Sequence, residues 1–161
     1  MTVDDLIRSI ESSRAYFFRH VKGMTDEQGA WKPYPQCKSV NETLAHLRVD
    51  DLAAMDSFES GEEPKYEEIS APIMEAAGKL TRVELEENLR RSHEDLIAYI
   101  RTKFSQAPLD SEVCVWGSKM PLSLGIPHLS SEDFYHAGQV AYIRMAQDAA
   151  WDYYAAVYGG A

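Results

Sequence analysis

The chain has 161 residues, of which 45% are hydrophobic, and a formal net charge of −10. That length suits one domain, 1–161, around one core, and the apolar content is that of a globular chain rather than a disordered one. No stretch approaches the roughly 20 apolar residues of a membrane span, the first residues form no leader segment, and an acidic chain with scattered Lys and Arg repels a nucleic-acid backbone.

Four long helical patterns are predicted. The first spans 2–22, where Val3, Leu6, Ile7, Ile10, Phe17, Phe18 and Val21 recur at three- and four-residue steps. Thr2 with Asp5 marks its start and Gly23 its stop. Residues 24–38 hold Trp31, Pro33 and Pro35 and read as an ordered, non-helical link. The second helix starts at a capping box, Ser39 with Glu42, and runs to about Ser60 before Gly61. Its stripe of Val40, Leu44, Leu47, Ala54 and Phe58 is interrupted by polar residues at 46, 50 and 51. Residues 61–80 read as an acidic, irregular link with at most a helical turn at 72–78, long enough for a crossover connection.

The third helix starts at Thr81 with Glu84, buries Leu85, Leu89, Leu96, Ile97, Ile100 and Phe104, and ends before Pro108. Residues 109–126 suggest a short hairpin turning at Gly117-Ser118. The fourth helix runs from about Leu129 to Asp148, with Ser130 or Ser131 as its cap. The tail at 149–158 carries Trp151, Tyr153, Tyr154 and Tyr158, aromatics expected to be buried against the bundle or against a second subunit in a homodimer. Four such amphipathic helices bury their stripes against one another. The fold class expected is all-α, a four-helix bundle with a crossover connection and a short hairpin-like insertion before the last long helix.

The chemistry lies where polar groups break the stripes. His46 and Asp50 are four apart on the second helix, and Glu132 and His136 are four apart on the fourth. A four-residue step rotates only about 40°, so each pair shares a face, and two such pairs can converge in a bundle core. Imidazole with carboxylate suits zinc, nickel, iron or manganese. Each pair also fits a plainer role: a hydrogen-bonded core histidine, or an i, i+4 contact on a helix surface. Spacing alone leaves both readings open.

Outside these pairs, His128 reads as a residue at the entrance of the last helix and His93 as a satisfied core histidine. His20 reads as a partner of the first helix's C-terminal dipole. Cys37 and Cys114 are too few for a disulfide framework, fit a reducing cytoplasm, and read as packing or loop residues. Trp31 and Trp116 read as plugs at the ends of the bundle, with a pocket wall beside the site as the sharper alternative. Arg144 is placed to meet an anionic substrate group or an acid on a neighbouring helix.

Several segments resemble the DinB/YfiT-like family. In the N-terminal half they are Met24-Thr25-Asp26-Glu27-Gln28, Trp31-Lys32-Pro33, Ser39-Val40 and Leu44-Ala45-His46-Leu47. In the C-terminal half the run His136-Ala137-Gly138-Gln139-Val140-Ala141-Tyr142-Ile143-Arg144 carries the likeness. The resemblance implies a four-helix bundle with a central divalent metal, commonly nickel or zinc, held by three histidines. His46 and His136 match the first and last of these. Glu132 stands at the middle position, giving a set of His46, Glu132 and His136 that favours harder metals such as manganese or iron, with Asp50 as a base or an orienting group. The resemblance further implies a small-molecule substrate and a low-molecular-weight thiol, through S-transfer or isomerisation, or a metal-assisted hydrolysis. The alternative is a non-catalytic, stress-related binding module whose site has degenerated at Glu132.

Overall fold

The computed structural model describes residues 1–159. The order is α1 (Val3–Val21), α2 (Asp26–Ala30), α3 (Val40–Ser60), α4 (Tyr66–Ala77), α5 (Arg82–Phe104), β1 (Glu112–Val115), β2 (Ser118–Pro121), α6 (Leu122–His128), α7 (Ser130–Gln147) and α8 (Tyr153–Tyr158). The four long helices α1, α3, α5 and α7 form the bundle expected from their stripes. α1 packs on α7 and α5, and α3 packs on α5 and α7. Their starts are chemically defined. Thr2 with Asp5, Ser39 with Glu42 and Thr81 with Glu84 each close a reciprocal capping box, which satisfies orphan backbone N–H groups. Gly61 ends α3 in the left-handed conformation, φ 73°.

The apolar core falls into two clusters. One joins Val3, Leu6 and Ile10 of α1 to Phe58 of α3, Phe104 of α5 and Leu129. The other joins Phe17 and Val21 of α1 to Val40 and Leu44 of α3, Leu89 of α5 and Val140 of α7. The start of α1 thus lies beside the ends of α3 and α5, so α1 runs against both of them and α3 runs parallel to α5. A parallel pair needs a return connection, and residues 61–80 supply it with α4 laid along α3. Between the two apolar clusters all four long helices contribute buried polar side chains: Ser13 and Arg14, Asp50 and Asp51, Ser92 and His93, Asp133 and His136.

Several local expectations need correction. The 24–38 link contains the helix α2, because Thr25 and Gln28 close a fourth capping box. The acidic link holds a full 12-residue helix, α4, with Pro72 inside it; most of α4 is exposed, so tertiary contact on one side carries it past the proline's missing N–H. The hairpin turns at Trp116-Gly117, not at Gly117-Ser118. Val115 pairs with Ser118, and both turn residues have positive φ, 49° and 86°, the sign a two-residue type I′ turn requires. Leu122 and Leu124 belong to α6 rather than to a strand. Gly125 lets α6 lie against β1, since a Cβ there would sit 2.6 Å from Val113 Cγ2. Neither Ser130 nor Ser131 caps α7. α6 leads into it through Leu129, which is already in the helical region, and Ser131 Oγ donates back to the His128 carbonyl at 2.7 Å.

The tail folds as α8 against α1. The hydroxyls of Tyr153 and Tyr158 lie 3.2 and 3.1 Å from that of Tyr16, while Tyr154 and Tyr158 stay exposed. His20 is buried in the last turn of α1, at the C-terminal end of its dipole, with its Nδ1 2.9 Å from the Tyr16 carbonyl. That dipole end is served by Arg144, which donates to the His20 and Lys22 carbonyls at 2.8 Å each and stacks on Trp151. Arg144 therefore donates to backbone carbonyls and makes no ion pair with an acidic side chain among the described residues.

Candidate metal centre

His46 and Asp50 of α3 and Glu132 and His136 of α7 meet at the polar layer. One ligand atom from each lies within 4.8 Å of every other. His46 Nε2 is 3.4 Å from Asp50 Oδ2, and His136 Nε2 is 3.4 Å from Glu132 Oε2. These separations are too long for good hydrogen bonds. They match an ion instead: two atoms bound at about 2.1 Å with a tetrahedral angle stand about 3.4 Å apart. The two imidazoles come from opposite helices with ring centroids 5.0 Å apart.

Each ring is held from behind. His136 Nδ1 donates to Gln139 Oε1 at 2.8 Å, which turns Nε2 toward the Glu132 carboxylate. His46 Nδ1 lies 2.9 Å from the Tyr66 hydroxyl. His136 Nε2 and Asp50 Oδ2 are buried and have no hydrogen-bond partner among the described residues. Such groups cost stability unless something binds them. The set therefore fits a divalent ion, with Glu132 as the most solvent-exposed member.

The electrostatics agree with that arrangement. Burial first, then the charges of Glu132 and Asp51, push the Asp50 carboxyl up to about 8. Burial, then His136 and Lys38, push His46 down to about 4, so its ring is neutral and able to ligate at pH 7.

Two cavities reach the site from different sides. One of about 470 Å³ is lined by Gln36, Cys37, Lys38, His136, Tyr135 and Tyr142, and also touches His46 and Glu132. The other, about 360 Å³, is bounded by Glu63, Pro64, Tyr66 and Trp116 and touches His46, Asp50 and Glu132. Both fall in the range of small-molecule clefts. Trp116 is therefore a pocket wall, not an end plug: its Nε1 donates to the Asp50 carbonyl at 3.1 Å, which ties the hairpin turn to α3. Trp31 is not a plug either, being 39% exposed beside α7.

His128 is exposed, packs on Trp116 and lies outside the cluster. His93 is a buried core residue but not a satisfied one. Its Nδ1 is 3.8 Å from Asp51 Oδ1, and neither ring nitrogen has a hydrogen-bond partner among the described residues. Cys37 is exposed in the larger cavity, whereas Cys114 is buried with its Sγ 3.4 Å from the Glu62 carbonyl. The spacing of histidines and carboxylates does not reveal Tyr66 or Lys38 as neighbours of the site, whereas Trp116 takes the pocket-wall role given above as its alternative. Tyr66 arrives on a helix hidden by Pro72, and Trp116 through a turn.

The profile of the DinB superfamily matches residues 9–140. No curated protein matches the sequence. Among solved structures, the crystal structure of the mycothiol-dependent maleylpyruvate isomerase is similar, with a TM-score of 0.68 at 16% identity, covering 87% of this chain. The present chain spans 61% of that protein's length. The likeness is one of fold.

Proposed function

The chain belongs to the DinB superfamily, and from that premise we propose that it is a metal-dependent enzyme acting on a small molecule, with His46, Glu132 and His136 holding the ion and Asp50 beside them. The single observation that carries this reading is the convergence of four potential ligand atoms within 4.8 Å, with His136 Nε2 and Asp50 Oδ2 buried and unpartnered. A divalent ion there would supply Lewis acidity and bring the pKa of a bound water or thiol toward neutrality.

The chain's own residues do the rest. Gln139 and Tyr66 hold the two rings so that little reorganisation accompanies binding. Asp50, beside the three residues that would hold the ion, is placed to pass a proton to or take one from a reacting group. Trp116 and Tyr66 wall the smaller cavity, and the larger one leaves room for a substrate beside His136. The solved relative is thiol-dependent by name. That supports a low-molecular-weight thiol as co-substrate, in S-transfer, with metal-assisted hydrolysis as the other chemistry the same set supports.

Elemental analysis of protein purified without a metal-affinity tag tests the reading. The expected result is close to one divalent ion per chain, lost in His136→Ala. Substoichiometric metal, with no rise in melting temperature on adding nickel, zinc or manganese, would overturn it and leave a non-catalytic binding bundle. Dependence of turnover on added thiol separates transfer from hydrolysis.

A further inference from the structure

The two carboxylates at the candidate metal centre each have an acidic neighbour in sequence: Asp51 follows Asp50, and Asp133 follows Glu132. One residue along a helix turns by about 100°. The neighbours are turned away from the candidate site and end on a single guanidinium, that of Arg14 on α1. Arg14 Nε donates to Asp133 Oδ1 at 2.7 Å, and its two terminal nitrogens donate to Asp51 Oδ2 and Oδ1 at 3.0 Å each.

Two serines add donors to the same carboxylates. Ser13 Oγ donates to Asp133 Oδ2 at 2.7 Å, and Ser92 Oγ of α5 donates to Asp51 Oδ2 at 2.8 Å. The side chains of Arg14, Asp51 and Asp133 are 7%, 4% and 2% exposed. Burial alone would lower the Arg14 pKa, but the two carboxylates outweigh it and raise it, so the charge is permanent.

A buried ion triad is a weak source of stability, because apolar residues of similar volume often do as well. The bundle has apolar layers on both sides of this one. What an apolar layer lacks is direction. A guanidinium fork is planar and fixes the distance and angle of the carboxylates it grips. Here it grips the two helices that supply the metal residues, each at the position next to one of the site's carboxylates.

We infer that Arg14 is a positioning residue of the metal centre, locking α3 against α7 in the register that places His46 and Asp50 opposite Glu132 and His136. The inference rests on the metal-centre reading proposed above. It makes Arg14 part of the site without contact to ion or substrate, and it explains why acidic pairs occur at both 50–51 and 132–133.

Cobalt(II) titration, read from its visible absorption, tests the inference alongside circular dichroism and melting of the metal-free protein. Removing Arg14 alone would strand two buried carboxylates, so the main variant combines Arg14→Met, Asp51→Asn and Asp133→Asn. Arg14→Lys is the companion, keeping the charge and losing the fork. The expected result is a wild-type helical spectrum with cobalt affinity reduced at least tenfold in the triple variant and by less in Arg14→Lys. A folded triple variant, or a folded Arg14→Lys, that binds cobalt as tightly as the wild type would overturn the positioning role and leave the metal reading intact. Absence of cobalt binding by the wild-type protein would overturn the metal reading itself.

Discussion

Metal-free protein is expected to lose stability as the pH rises from 6.5 to 8, with Asp50 as the cause. Burial, then Glu132 and Asp51, lift its carboxyl from 3.8 to about 8. Between those values the folded chain keeps a proton that the unfolded chain has released. A raised folded pKa contributes stability that is fully present below 3.8 and is lost as pH rises through 8. His46, lowered from 6.5 to about 4 by burial and then His136, acts in the opposite sense: its contribution is whole above 6.5 and is lost as pH falls toward 4. The two oppose each other between 4 and 6.5, and above 6.5 Asp50 alone of the pair sets the slope. A window of roughly 1.5 pH units at about 1.4 kcal/mol per unit gives about 2 kcal/mol, or roughly 4–8 °C in melting temperature for a chain of this size. Melts in chelator at half-unit steps from pH 6.5 to 8 should descend for the wild type and stay level for Asp50→Asn. With saturating divalent metal the wild-type descent should disappear, since the ion takes Asp50 without its proton and the unfolded chain has already lost it. A flat wild-type profile in chelator, or an equal descent in Asp50→Asn, would refute the reasoning.

Tyr66→Phe removes the hydroxyl held 2.9 Å from His46 Nδ1. Metal affinity should fall roughly 10–100-fold in a chelator competition, and unchanged affinity would show that the tyrosine does not position the ring. Gly125→Ala places a methyl group 2.6 Å from Val113 Cγ2 and 3.1 Å from Val115 Cγ2. Overpacking of about 1–3 kcal/mol should outweigh the gain of roughly 1 kcal/mol from replacing a helical glycine. A urea midpoint at or above the wild-type value would contradict the close packing of α6 on β1.

The bundle was legible because its signals are local and redundant. Leu6, Ile10 and Phe17, or Leu85, Leu89 and Leu96, repeat at helical steps, and Ser39 with Glu42 marks a start whether or not the rest of the fold is known. The convergence of His46 and Asp50 with Glu132 and His136 was legible as two like-spaced pairs on two helices. Three features were not. α4 was obscured by Pro72, whose cost is offset only by packing along α3. Tyr66 went with it. The Trp116-Gly117 turn depends on a tryptophan adopting φ 49°, a conformation that its Nε1 bond to the Asp50 carbonyl helps to hold. Finally, Asp51 shows in the sequence only as a polar break in the stripe of α3, and nothing in the sequence marks Asp133 or Arg14. Their roles appear only when α1 is set beside α3 and α7, which no local pattern encodes.

The most direct test is an anomalous-scattering map from crystals of tag-free protein, recorded on either side of the nickel, zinc, iron and manganese edges. One peak is expected about 2.0–2.2 Å from the Nε2 atoms of His46 and His136 and from a Glu132 carboxylate oxygen. Protein supplied with these metals that shows no peak between α3 and α7, or a peak only at surface carboxylates, would contradict a shared ion.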